Sequence, residues 1–456
     1  MNYYLAIDIG ASSGRHIVGW LEDGKLNIKE VYRFENGPKQ IGDHLYWDAE
    51  RLFKEVVNGL KVAKEQGLTP SYIGIDTWAV DYALLDGDDK LIDDIFCYRD
   101  KRTEVPIYRV HKRICFEDLY AKTGIQFQPF NTIYQLYSDK MGRKLCKAKS
   151  FLMLPDWLNF RLTGVKKQEY TNATSTGMVN AQTHTWDKEI ITALGFDKNL
   201  FKELSQPGTI VGDFSEEIQK IVGFNATVIL PATHDTASAV LAAPLEGQTP
   251  YISSGTWSLL GVEQDFAHTN EGSLKANYSN EGSINYGFRY QKNIMGLWML
   301  QNARKELGNI PFPEIATMAR ASDCSEIVDV NDSRFLAPKR MLDEISKAVG
   351  KNLGAESAVR VVYESLAQSY KQAINELETN TGITYETLNV IGGGSRDAFL
   401  NEITAKATGK KIITGPVEAT AIGNLIMQMI GTGEIKDLAK ARNIIKNSFD
   451  IKEVNV

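Results

Sequence analysis

Residues 3–21 read YYLAIDIGASSGRHIVGWL, and this segment is the most informative about the fold of the chain. The apolar run 3–9 and the run 15–21 predict two β-strands, joined by a turn of small and polar residues. Asp23-Gly24 supplies the positive φ angles of a second tight turn, and the alternation over 26–34 predicts a third strand. The chain therefore opens with a three-stranded meander.

The pattern that follows the meander is repeated more loosely in the second half of the chain. A helix is predicted over 48–66 from a single apolar stripe, and a strand over 72–75. In the second half, strands are predicted over 251–254 and 257–262, a helix over 356–377 and a strand over 388–391. Two halves built alike predict an α/β protein of two lobes, 1–241 and 242–456, with a cleft between them.

The composition is that of an ordinary globular protein. The 456 residues are 43% hydrophobic and 24% charged, and the formal net charge is −6. The length predicts two or three domains, and a mildly acidic chain without a basic face disfavours a nucleic-acid partner. The N-terminus has no basic and apolar leader, and no apolar run has membrane-spanning length, so we expect a cytoplasmic protein without a membrane partner. We expect a monomer or a homodimer.

The turn between the first two strands is the first candidate site. It contains Ala11, Ser12, Ser13, Gly14 and Arg15. Small residues let the backbone approach a ligand, successive N–H groups can bind an anion, and hydroxyls and a guanidinium add donors for phosphate oxygens. Asp8 is predicted to be free to hold Mg²⁺, directly or through water. The alternative is a plain hairpin turn, for which Asp-Gly alone would suffice.

Two glycine-containing turns of the second half are further candidates. Ser253-Ser254-Gly255-Thr256-Trp257 is the counterpart of the first turn, and the two hairpins are predicted to hold a polyphosphate from opposite sides of the cleft. Gly392-Gly393-Gly394 follows a predicted buried strand and can admit an adenine or a ribose. This run lacks the G-x-G-x-x-G spacing of a dinucleotide fold. The alternatives are an ordinary turn and a simple strand–helix connection.

The segment 233–238, Thr-His-Asp-Thr-Ala-Ser, carries the candidate catalytic base. Asp235 can accept the proton of an attacking hydroxyl, and at a helix N-terminus it is predicted to stay ionised. The alternative is that Asp235 only caps the helix, which would leave the neighbouring His234 unexplained. The sequence contains neither G-x-x-x-x-G-K-[ST] nor H-R-D, which excludes a P-loop enzyme and a protein-kinase catalytic loop.

These sites together resemble those of the FGGY carbohydrate kinases, a family of the actin-like ATPase superfamily. The resemblance extends over nearly the whole chain and rests on the blocks 8–15, 74–81, 98–103, 124–132, 234–236, 253–258, 292–298 and 415–420. It implies an α/β fold of two ribonuclease-H-like lobes. Within the family, the chain looks most like the members that phosphorylate L-rhamnulose.

The resemblance also implies which residues surround each substrate. The positions around ATP are Ala11, Ser12, Ser13, Gly14, Arg15, Thr256, Gln301 and Gly393. The positions around the sugar are Ala79, His234, Asp235, Thr236 and Asn293, with Asp235 as the base. The first lobe would hold the sugar, the first phosphate loop and the base, and the second would hold ATP with its adenosine. Relatives often have glycine at position 79, so the methyl group of Ala79 is expected to affect fine substrate preference.

The expected reaction transfers the γ-phosphoryl group of ATP to the 1-hydroxyl of L-rhamnulose, with Mg²⁺ positioned by Asp8. The products are L-rhamnulose 1-phosphate and ADP, in L-rhamnose catabolism. The nearest alternative is another sugar kinase of the family, acting on L-fuculose, xylulose or glycerol, because sugar pockets differ by only a few side chains. A non-kinase actin-like ATPase and a regulator that has lost catalysis are alternatives of other classes.

Overall fold

The computed structural model describes residues 2–336 and 338–454. This part of the chain forms two compact units. The first contains the residues up to 242 together with Gln264–Tyr290 and Thr420–Ser448, and the second contains Ala243–Glu263, Gln291–Ala419 and the residues after 448. A single division after residue 241 therefore does not separate the compact units, because two later segments pack with the first.

The chain up to residue 242 contains the first strands and helices. The strands are β1 (Tyr4–Ile9), β2 (Ser13–Glu22), β3 (Lys25–Glu35), β4 (Lys39–Ile41), β5 (His44–Trp47), β6 (Tyr72–Thr77), β7 (Tyr82–Leu85), β8 (Ile95–Phe96), β9 (Ser150–Met153), β10 (Gln168–Glu169), β11 (Leu204–Ser205), β12 (Ile210–Asp213) and β13 (Thr227–Ile229). The helices are α1 (Ala49–Glu65), α2 (Glu104–His111), α3 (Phe116–Thr123), α4 (Thr132–Met141), α5 (Leu154–Thr163), α6 (Tyr170–Thr174), α7 (Lys188–Leu194), α8 (Glu216–Val222) and α9 (Asp235–Leu241).

The remaining elements follow residue 242. The strands are β14 (Tyr251–Ser254), β15 (Trp257–Gln264), β16 (Ser279–Gly282), β17 (Phe288–Met295), β18 (Thr387–Ile391), β19 (Lys411–Thr414) and β20 (Lys452–Val454). The helices are α10 (Glu271–Lys275), α11 (Trp298–Glu306), α12 (Phe312–Ala321), α13 (Met341–Val349), α14 (Ala355–Thr381), α15 (Ala398–Thr408), α16 (Ala419–Gly431) and α17 (Leu438–Ser448). Among the helices of the described residues, none is both long and apolar enough to cross a lipid bilayer.

The sheet of the first unit is built around β1. Its strand order is β12-β13-β6-β1-β2-β3. Strand β1 is antiparallel to β2 and parallel to β6, and the parallel register places Asp8 opposite Asp76. Every residue of β1 is buried, as expected of a central strand that is apolar almost throughout. Its side chains share one core with Leu52 and Leu60 of α1, so the first predicted strands and helix form the centre of the unit.

Helix α1 shows why the sequence pattern located its ends well. Asp48 is the N-cap residue, and its side chain accepts a hydrogen bond from the backbone N–H of Arg51 at 3.0 Å. This contact satisfies one of the donors that every helix start leaves unpaired. The helix predicted over 48–66 is confirmed as Ala49–Glu65 with its capping residues on either side.

In the sheet of the second unit, neighbouring strands follow the order β17-β15-β14-β18-β19-β20. Strand β14 is antiparallel to β15 and parallel to β18, just as β1 is antiparallel to β2 and parallel to β6. Strands β14, β15 and β18 are therefore the counterparts of β1, β2 and β6. The predicted repetition of the opening pattern in the second half is confirmed.

Helix α16 belongs to the first unit because its polar side chains bind to that unit's central strands. Asn424 Nδ2 donates to the carbonyl oxygen of Gly74 at 3.1 Å and to Asp76 Oδ2 at 2.6 Å. Gln428 Nε2 donates to the carbonyl oxygen of Leu5 at 3.0 Å. These buried hydrogen bonds attach the segment Thr420–Ser448 to β6 and β1.

Candidate active site

Three aspartates of the first unit lie at one edge of its sheet. Asp8 is near the end of β1, Asp76 is near the end of β6, and Asp235 begins α9. A bridge between Thr77 and His234 brings the start of α9 to the end of β6. The carboxylates of the three aspartates interact electrostatically. The carboxyl ends of parallel strands thus form an acidic site, at the position where open α/β sheets bind ligands.

Asp8 is paired with an arginine. The register of β1 and β2 places Asp8 opposite Arg15, whose Nε and Nη2 lie 2.9 and 2.8 Å from Asp8 Oδ2. Such charge-assisted contacts are among the stronger hydrogen bonds in proteins. One carboxylate oxygen of Asp8 is therefore already occupied in this structure, and the role of Asp8 in holding Mg²⁺ stays a prediction. The Arg15 guanidinium, which the sequence assigned to phosphate oxygens, here neutralises Asp8.

Asp76 is a buried carboxylate with an unused oxygen. Its Oδ2 accepts a hydrogen bond from Asn424, whereas Oδ1 is buried and has no hydrogen-bond partner within the described chain. Burial raises the pKa of Asp76 well above its usual value, and the nearby Asp8 carboxylate raises this pKa further. The sequence indicated Asp76 only as the end of a strand, since its position beside Asp8 depends on strand order.

Asp235 is the most accessible of the carboxylates at this edge. Its side chain is 31% exposed, against 9% for Asp8. Its Oδ1 accepts hydrogen bonds from the Thr236 backbone N–H at 2.6 Å and from Thr236 Oγ1 at 3.2 Å. Asp235 is the first helical residue, and His234 occupies the N-cap position, so the reading of Asp235 as a helix cap is wrong. A carboxylate that is partly exposed and oriented by its neighbour is suited to accept a proton from a ligand.

The surroundings of Asp235 shift its pKa. Burial raises the pKa of Asp235 above its usual value, and the Asp8 carboxylate raises it as well. The neighbouring His234 and the hydrogen bonds from Thr236 act in the opposite direction. A raised pKa makes the Asp235 carboxylate a stronger base than that of a fully solvated aspartate, and its ionisation stays a prediction.

His234 is held between two acidic side chains. Its Nε2 lies 3.5 Å from Asp235 Oδ1, and its Nδ1 lies 3.1 Å from Glu281 Oε2. Arg289 Nη2 lies 3.1 Å from both His234 Nδ1 and Glu281 Oε2. We refer to Arg289, Glu281 and His234 as the histidine network. Sequence reasoning missed Glu281 and Arg289, because they lie far from His234 along the chain and match no motif.

Ala79 lies in a strained turn after β6. The next residue, Val80, has a φ angle of +69°, which is a genuine outlier for a β-branched residue. Asp81 holds this turn: its Oδ2 accepts hydrogen bonds from Trp47 Nε1 at 2.6 Å and from Trp78 Nε1 at 2.9 Å. Burial raises the pKa of Asp81 to about 6. Strain that surrounding residues enforce is typical of ligand-contacting turns, which agrees with the sugar-side position predicted for Ala79.

The first turn contains both exposed and packed residues. The Gly10 N–H donates to the Ser13 carbonyl oxygen at 2.9 Å, and this hydrogen bond closes the turn with Ser12 exposed at its tip. Gly14 is buried, and a Cβ atom there would lie 2.5 Å from Phe34 Cε1. Packing against Phe34 therefore explains Gly14 without a ligand, whereas Ala11, Ser12 and Ser13 stay available to an anion.

Backbone hydrogen bonds from residues 296–298 support the β14–β15 hairpin of the second unit. The N–H groups of Gly296 and Trp298 each lie 3.2 Å from the Thr256 carbonyl oxygen, and the Leu297 N–H lies 2.9 Å from that of Gly255. A Cβ atom on Gly296 would lie 2.6 Å from the Trp257 carbonyl carbon, so only glycine fits this approach. These contacts occupy the carbonyl groups of the hairpin and leave its hydroxyls for other partners.

The glycine run 392–394 combines two roles. Gly394 packs against β14, where a Cβ atom would lie 2.6 Å from Ser254 Cβ, and Gly392 has a φ angle of +80°. Gly393 is exposed, and nothing lies within 4 Å of the position its Cβ would take. The predicted ATP position is thus the one glycine of the run that faces open space.

The two other predicted positions of the second unit are partly exposed. Gln301 lies in the first turns of α11, where its N–H donates to the Leu297 carbonyl oxygen at 2.8 Å. Asn293 lies in β17, and its Oδ1 is buried without a hydrogen-bond partner among the described residues. An unsatisfied buried oxygen of this kind calls for a ligand or a water molecule.

The acidic edge fits a magnesium ion that takes most of its ligands from elsewhere. Among the described residues, no group of three His, Cys, Asp or Glu side chains is arranged to hold a metal. Magnesium in kinases is held by one or two carboxylates with phosphate oxygens and water. Asp8, beside the unpartnered oxygen of Asp76, offers hard oxygen donors of that kind without a closed cage.

Comparison with known proteins identifies the family. The sequence models of the FGGY family of carbohydrate kinases match residues 3–242 for the N-terminal domain and 250–432 for the C-terminal domain. A rhamnulokinase from Oceanobacillus iheyensis is 47% identical and aligns over 98% of this chain and 97% of its own length. A rhamnulokinase from Halalkalibacterium halodurans is 48% identical over 99% of this chain and 98% of its own length.

Solved structures show the same fold at low identity. A ligand-bound xylulose kinase from Lactobacillus acidophilus superposes with a TM-score of 0.81 at 18% identity, covering 100% of this chain and 93% of its own. A Plasmodium falciparum glycerol kinase with ADP gives 0.80 at 16% identity, covering 99% and 94%. These structures confirm the predicted α/β fold of two ribonuclease-H-like units. The chain belongs to the FGGY family of carbohydrate kinases.

Proposed function

We propose that this chain phosphorylates L-rhamnulose at its 1-hydroxyl with ATP, giving L-rhamnulose 1-phosphate and ADP in the breakdown of L-rhamnose. The observation that carries the substrate is the identity of 47% and 48%, over nearly the full length, to two rhamnulokinases. ATP is the co-substrate of a kinase of this family. The cytoplasm, which supplies ATP, is the proposed compartment, and the protein acts as a monomer or a homodimer.

Asp235 is the proposed catalytic base. It accepts the proton of the 1-hydroxyl, the hydroxyl oxygen forms a bond to the γ-phosphorus, and the bond from that phosphorus to the ADP oxygen breaks. The partial exposure of the side chain and the Thr236 hydrogen bonds support this role, because they leave Asp235 reachable and oriented. Phosphoryl transfer has a loose transition state, so positioning matters more than a strong base.

Asp8 and Arg15 are proposed to organise charge around the phosphates. When bound, Mg²⁺ supplies charge neutralisation at the phosphate oxygens, and Asp8 is the residue that would hold it, directly or through water. Arg15 pairs with Asp8 in this structure and is a suitable bidentate donor for phosphate oxygens.

The remaining predicted positions are proposed to divide between the substrates. Ala79, His234, Thr236 and Asn293 contact the sugar, whereas Ala11, Ser12, Ser13, Gly14, Thr256, Gln301 and Gly393 surround ATP. Gly14 acts through packing behind the loop, since its Cβ position is filled by Phe34. The segment up to residue 241 then contributes the base, the first phosphate loop and most of the sugar site, and the segment from 242 contributes Asn293 and the adenosine side of the nucleotide site.

The substrate is tested by measuring ADP release with Mg-ATP against L-rhamnulose, L-fuculose, D- and L-xylulose, L-ribulose and glycerol. We expect selective turnover of L-rhamnulose. Strong turnover of another panel member would keep the sugar-kinase mechanism and overturn the substrate. ADP release that does not depend on any acceptor would favour a non-kinase ATPase and contradict the proposal.

The base is tested with Asp235→Asn, which keeps the size of the side chain and removes its negative charge. We expect kcat to fall by about 10²–10⁴-fold, the usual contribution of a general base, with an unchanged melting temperature. Asp88→Asn, an exposed aspartate in the loop between β7 and β8, is the matched control and should keep full activity. Unchanged turnover in a folded Asp235→Asn variant would remove Asp235 from the mechanism.

A further inference from the structure

Glu169 is a fully buried carboxylate at the start of α6. It is the N-cap residue of that helix, and its side chain accepts hydrogen bonds from the backbone N–H groups of Thr171 at 2.7 Å and Asn172 at 3.0 Å. The residues preferred at helix N-caps are Ser, Thr, Asp and Asn, whose short side chains are long enough for these contacts. The longer side chain of glutamate therefore indicates a second task for this carboxylate.

The second task involves the segment that precedes the proposed base. Glu169 Oε2 accepts a hydrogen bond from Thr233 Oγ1 at 2.6 Å and another from the Thr233 backbone N–H at 3.3 Å. Thr233 is also fully buried, and it lies two residues before Asp235. Both partners belong to the first unit, so this contact joins the start of α6 to the segment that leads into α9.

Further hydrogen bonds hold the same segment. The Thr233 carbonyl oxygen accepts a hydrogen bond from the Thr77 N–H at 3.0 Å. The His234 N–H donates to Thr171 Oγ1 at 3.4 Å, and that hydroxyl donates to Glu169 Oε2 at 2.8 Å. Glu169 therefore holds Thr233 directly and the His234 backbone through the Thr171 hydroxyl, whereas the histidine network contacts the His234 side chain.

The neighbours of Glu169 require a group that only accepts hydrogen bonds. Three of its partners are backbone N–H groups, which can only donate, and two hydroxyls complete a set of five donors. Burial raises the pKa of Glu169, and the hydrogen bonds from Thr233, Thr171 and Asn172 lower it. A buried carboxylate with this many donors is costly to displace, so the geometry that it imposes on its partners is rigid.

We propose that Glu169 is a positioning residue: it holds Thr233, and through it the start of α9, so that Asp235 meets the reacting hydroxyl of the sugar. This inference rests on the proposed role of Asp235 as the base. The hydrogen bonds from Thr236 orient the Asp235 side chain, but Thr236 belongs to α9 and moves with it. The contact between Glu169 and Thr233 acts from outside the helix, just before it begins. A shift of about 1 Å between reacting groups can lower a rate by about 100-fold, so this anchor matters to the reaction.

The variant Glu169→Asp separates the two tasks of the carboxylate. Aspartate keeps the negative charge and is itself a preferred N-cap residue, but it is one methylene shorter and cannot cap α6 and reach Thr233 at once. We expect kcat to fall by about 10–100-fold, because the base is no longer held against the reacting hydroxyl. KM for ATP should stay unchanged, since the N-cap of α6 and the charge are both retained.

The variant Thr233→Val removes the same contact from the other side. Valine has nearly the shape of threonine but no hydroxyl, so we expect kcat to fall by about tenfold or more, again with an unchanged KM for ATP. Thr233→Ser keeps the hydroxyl and should recover most of the activity. A folded Thr233→Val variant with the kcat of the wild type would contradict the proposal.

The matched control is Thr176→Val, which separates positioning from a loss of stability. Thr176 is fully buried like Thr233, and its Oγ1 donates to the Ala173 carbonyl oxygen at 2.6 Å, just beyond the end of α6. This variant should lower the melting temperature about as much as Thr233→Val does, but keep the kcat of the wild type. A kcat that falls in step with the melting temperature in both variants would indicate a structural role and contradict positioning.

The double variant Glu169→Asp/Thr233→Val tests whether the two residues act together. If Glu169 acts through Thr233, the double variant should have about the kcat of the less active single variant, because one contact cannot be lost twice. Losses that multiply in the double variant would mean that the two residues act independently, which would overturn the proposal.

Hydrogen exchange measures the anchoring without any reaction. In Glu169→Asp, the backbone amides of a peptide covering residues 232–241 should exchange about tenfold faster or more, because the Thr233 N–H loses its charged acceptor. The same peptide should exchange as in the wild type in Thr176→Val. Unchanged exchange in Glu169→Asp would show that Glu169 does not anchor the segment, and would overturn the proposal whatever the kinetics.

The outcomes distinguish this proposal from the proposed function. If Asp235→Asn is inactive while Glu169→Asp and Thr233→Val keep the kcat of the wild type, the positioning role is wrong and the base assignment stands. If Asp235→Asn is fully active, the base assignment fails, and the positioning of a base by Glu169 fails with it. A fall in kcat in both variants, together with faster exchange over residues 232–241 and an inactive Asp235→Asn, supports both.

Discussion

The hairpins β1–β2 and β14–β15 occupy equivalent places in their two sheets but carry different chemistry. In the first, Asp8 lies opposite Asp76 of the neighbouring parallel strand. In the second, the equivalent positions are Ser253 and Ile391. The same backbone thus presents two carboxylates in one unit and a hydroxyl beside an apolar side chain in the other.

The difference shows how one scaffold supports two tasks. Carboxylates close together favour proton and metal chemistry, and the first unit gathers Asp8, Asp76 and Asp235 at one edge. The second unit places glycines and hydroxyls at the corresponding edge, which suits close backbone approach to a neutral or anionic group. Repetition of the fold therefore does not imply repetition of the reaction, and the proposed base and the proposed metal-holding residue both lie in the first unit.

Among the changes that compare the two hairpins, replacing Asp8 should have the largest effect on activity. Asp8→Asn should lower kcat by about 100-fold or more, the loss typical when one preorganised electrostatic group is removed. The variant should also need more Mg²⁺ for half-maximal rate, because Asp8 is the proposed metal-holding residue. Steady-state kinetics over a magnesium titration measure both.

Ser253→Ala is the matched control in the second hairpin. It removes a side-chain hydroxyl at the equivalent position, and we expect kcat to stay within about fivefold of the wild type, since a single hydroxyl contact contributes about 1 kcal/mol or less. Equal losses in Asp8→Asn and Ser253→Ala would mean that the two hairpins share the catalytic work, and would contradict the division proposed here.

A smaller effect is expected on stability, within the glycine run of the second unit. Gly394→Ala places a methyl group against Ser254, which should destabilise the protein by about 1–3 kcal/mol, as overpacking usually does. Gly393→Ala, one residue earlier, meets open space and should leave the melting temperature unchanged while raising KM for ATP. Thermal unfolding and ATP kinetics of the two variants check this; a stable Gly394→Ala would show that packing does not select this glycine.

Local patterns were enough to predict the hairpins and the start of the helix that carries the proposed base. The strands around Gly10 and Gly255 follow from contiguous apolar residues that end in small polar ones, and residues 233–238 follow a buried apolar strand. The two sheets confirm the predicted repetition. These features depend on neighbours within one or two turns of the chain, which is the range over which sequence patterns are informative.

Contacts that depend on register and topology could not be predicted. Arg15 binds Asp8 because the turn length places them opposite each other. From the sequence alone, Arg15 was predicted only as a donor to phosphate oxygens. Glu281 and Arg289 reach His234 only because the segment Gln264–Tyr290 packs with the first unit. Long-range pairing of this kind leaves no periodic signal, so buried charged residues outside the motifs were the available hint.

The smallest expected effect concerns acid stability and again contrasts the two hairpins. His16 in β2 lies opposite Ile7, and the equivalent residue of β15, opposite Ile252, is Leu260. Burial lowers the pKa of His16 to about 4, although its Nε2 lies 3.1 Å from the Val56 carbonyl oxygen. The unfolded chain binds a proton at this histidine below about pH 6.5, whereas the folded protein does not until about pH 4, so stability falls as pH falls through that window. At pH 5.5 the free energy of unfolding lost through this one residue is about 1.4 kcal/mol relative to pH 8.

His16→Leu gives β2 the residue that β15 has at the equivalent position. In urea unfolding, the free energy of unfolding of this variant should fall less between pH 8 and pH 5.5 than that of the wild type, by about 1.4 kcal/mol. The comparison needs only the difference between two pH values within each protein, so any packing change caused by the leucine cancels. An unchanged pH dependence would show that the pKa of His16 is the same in the folded and the unfolded protein.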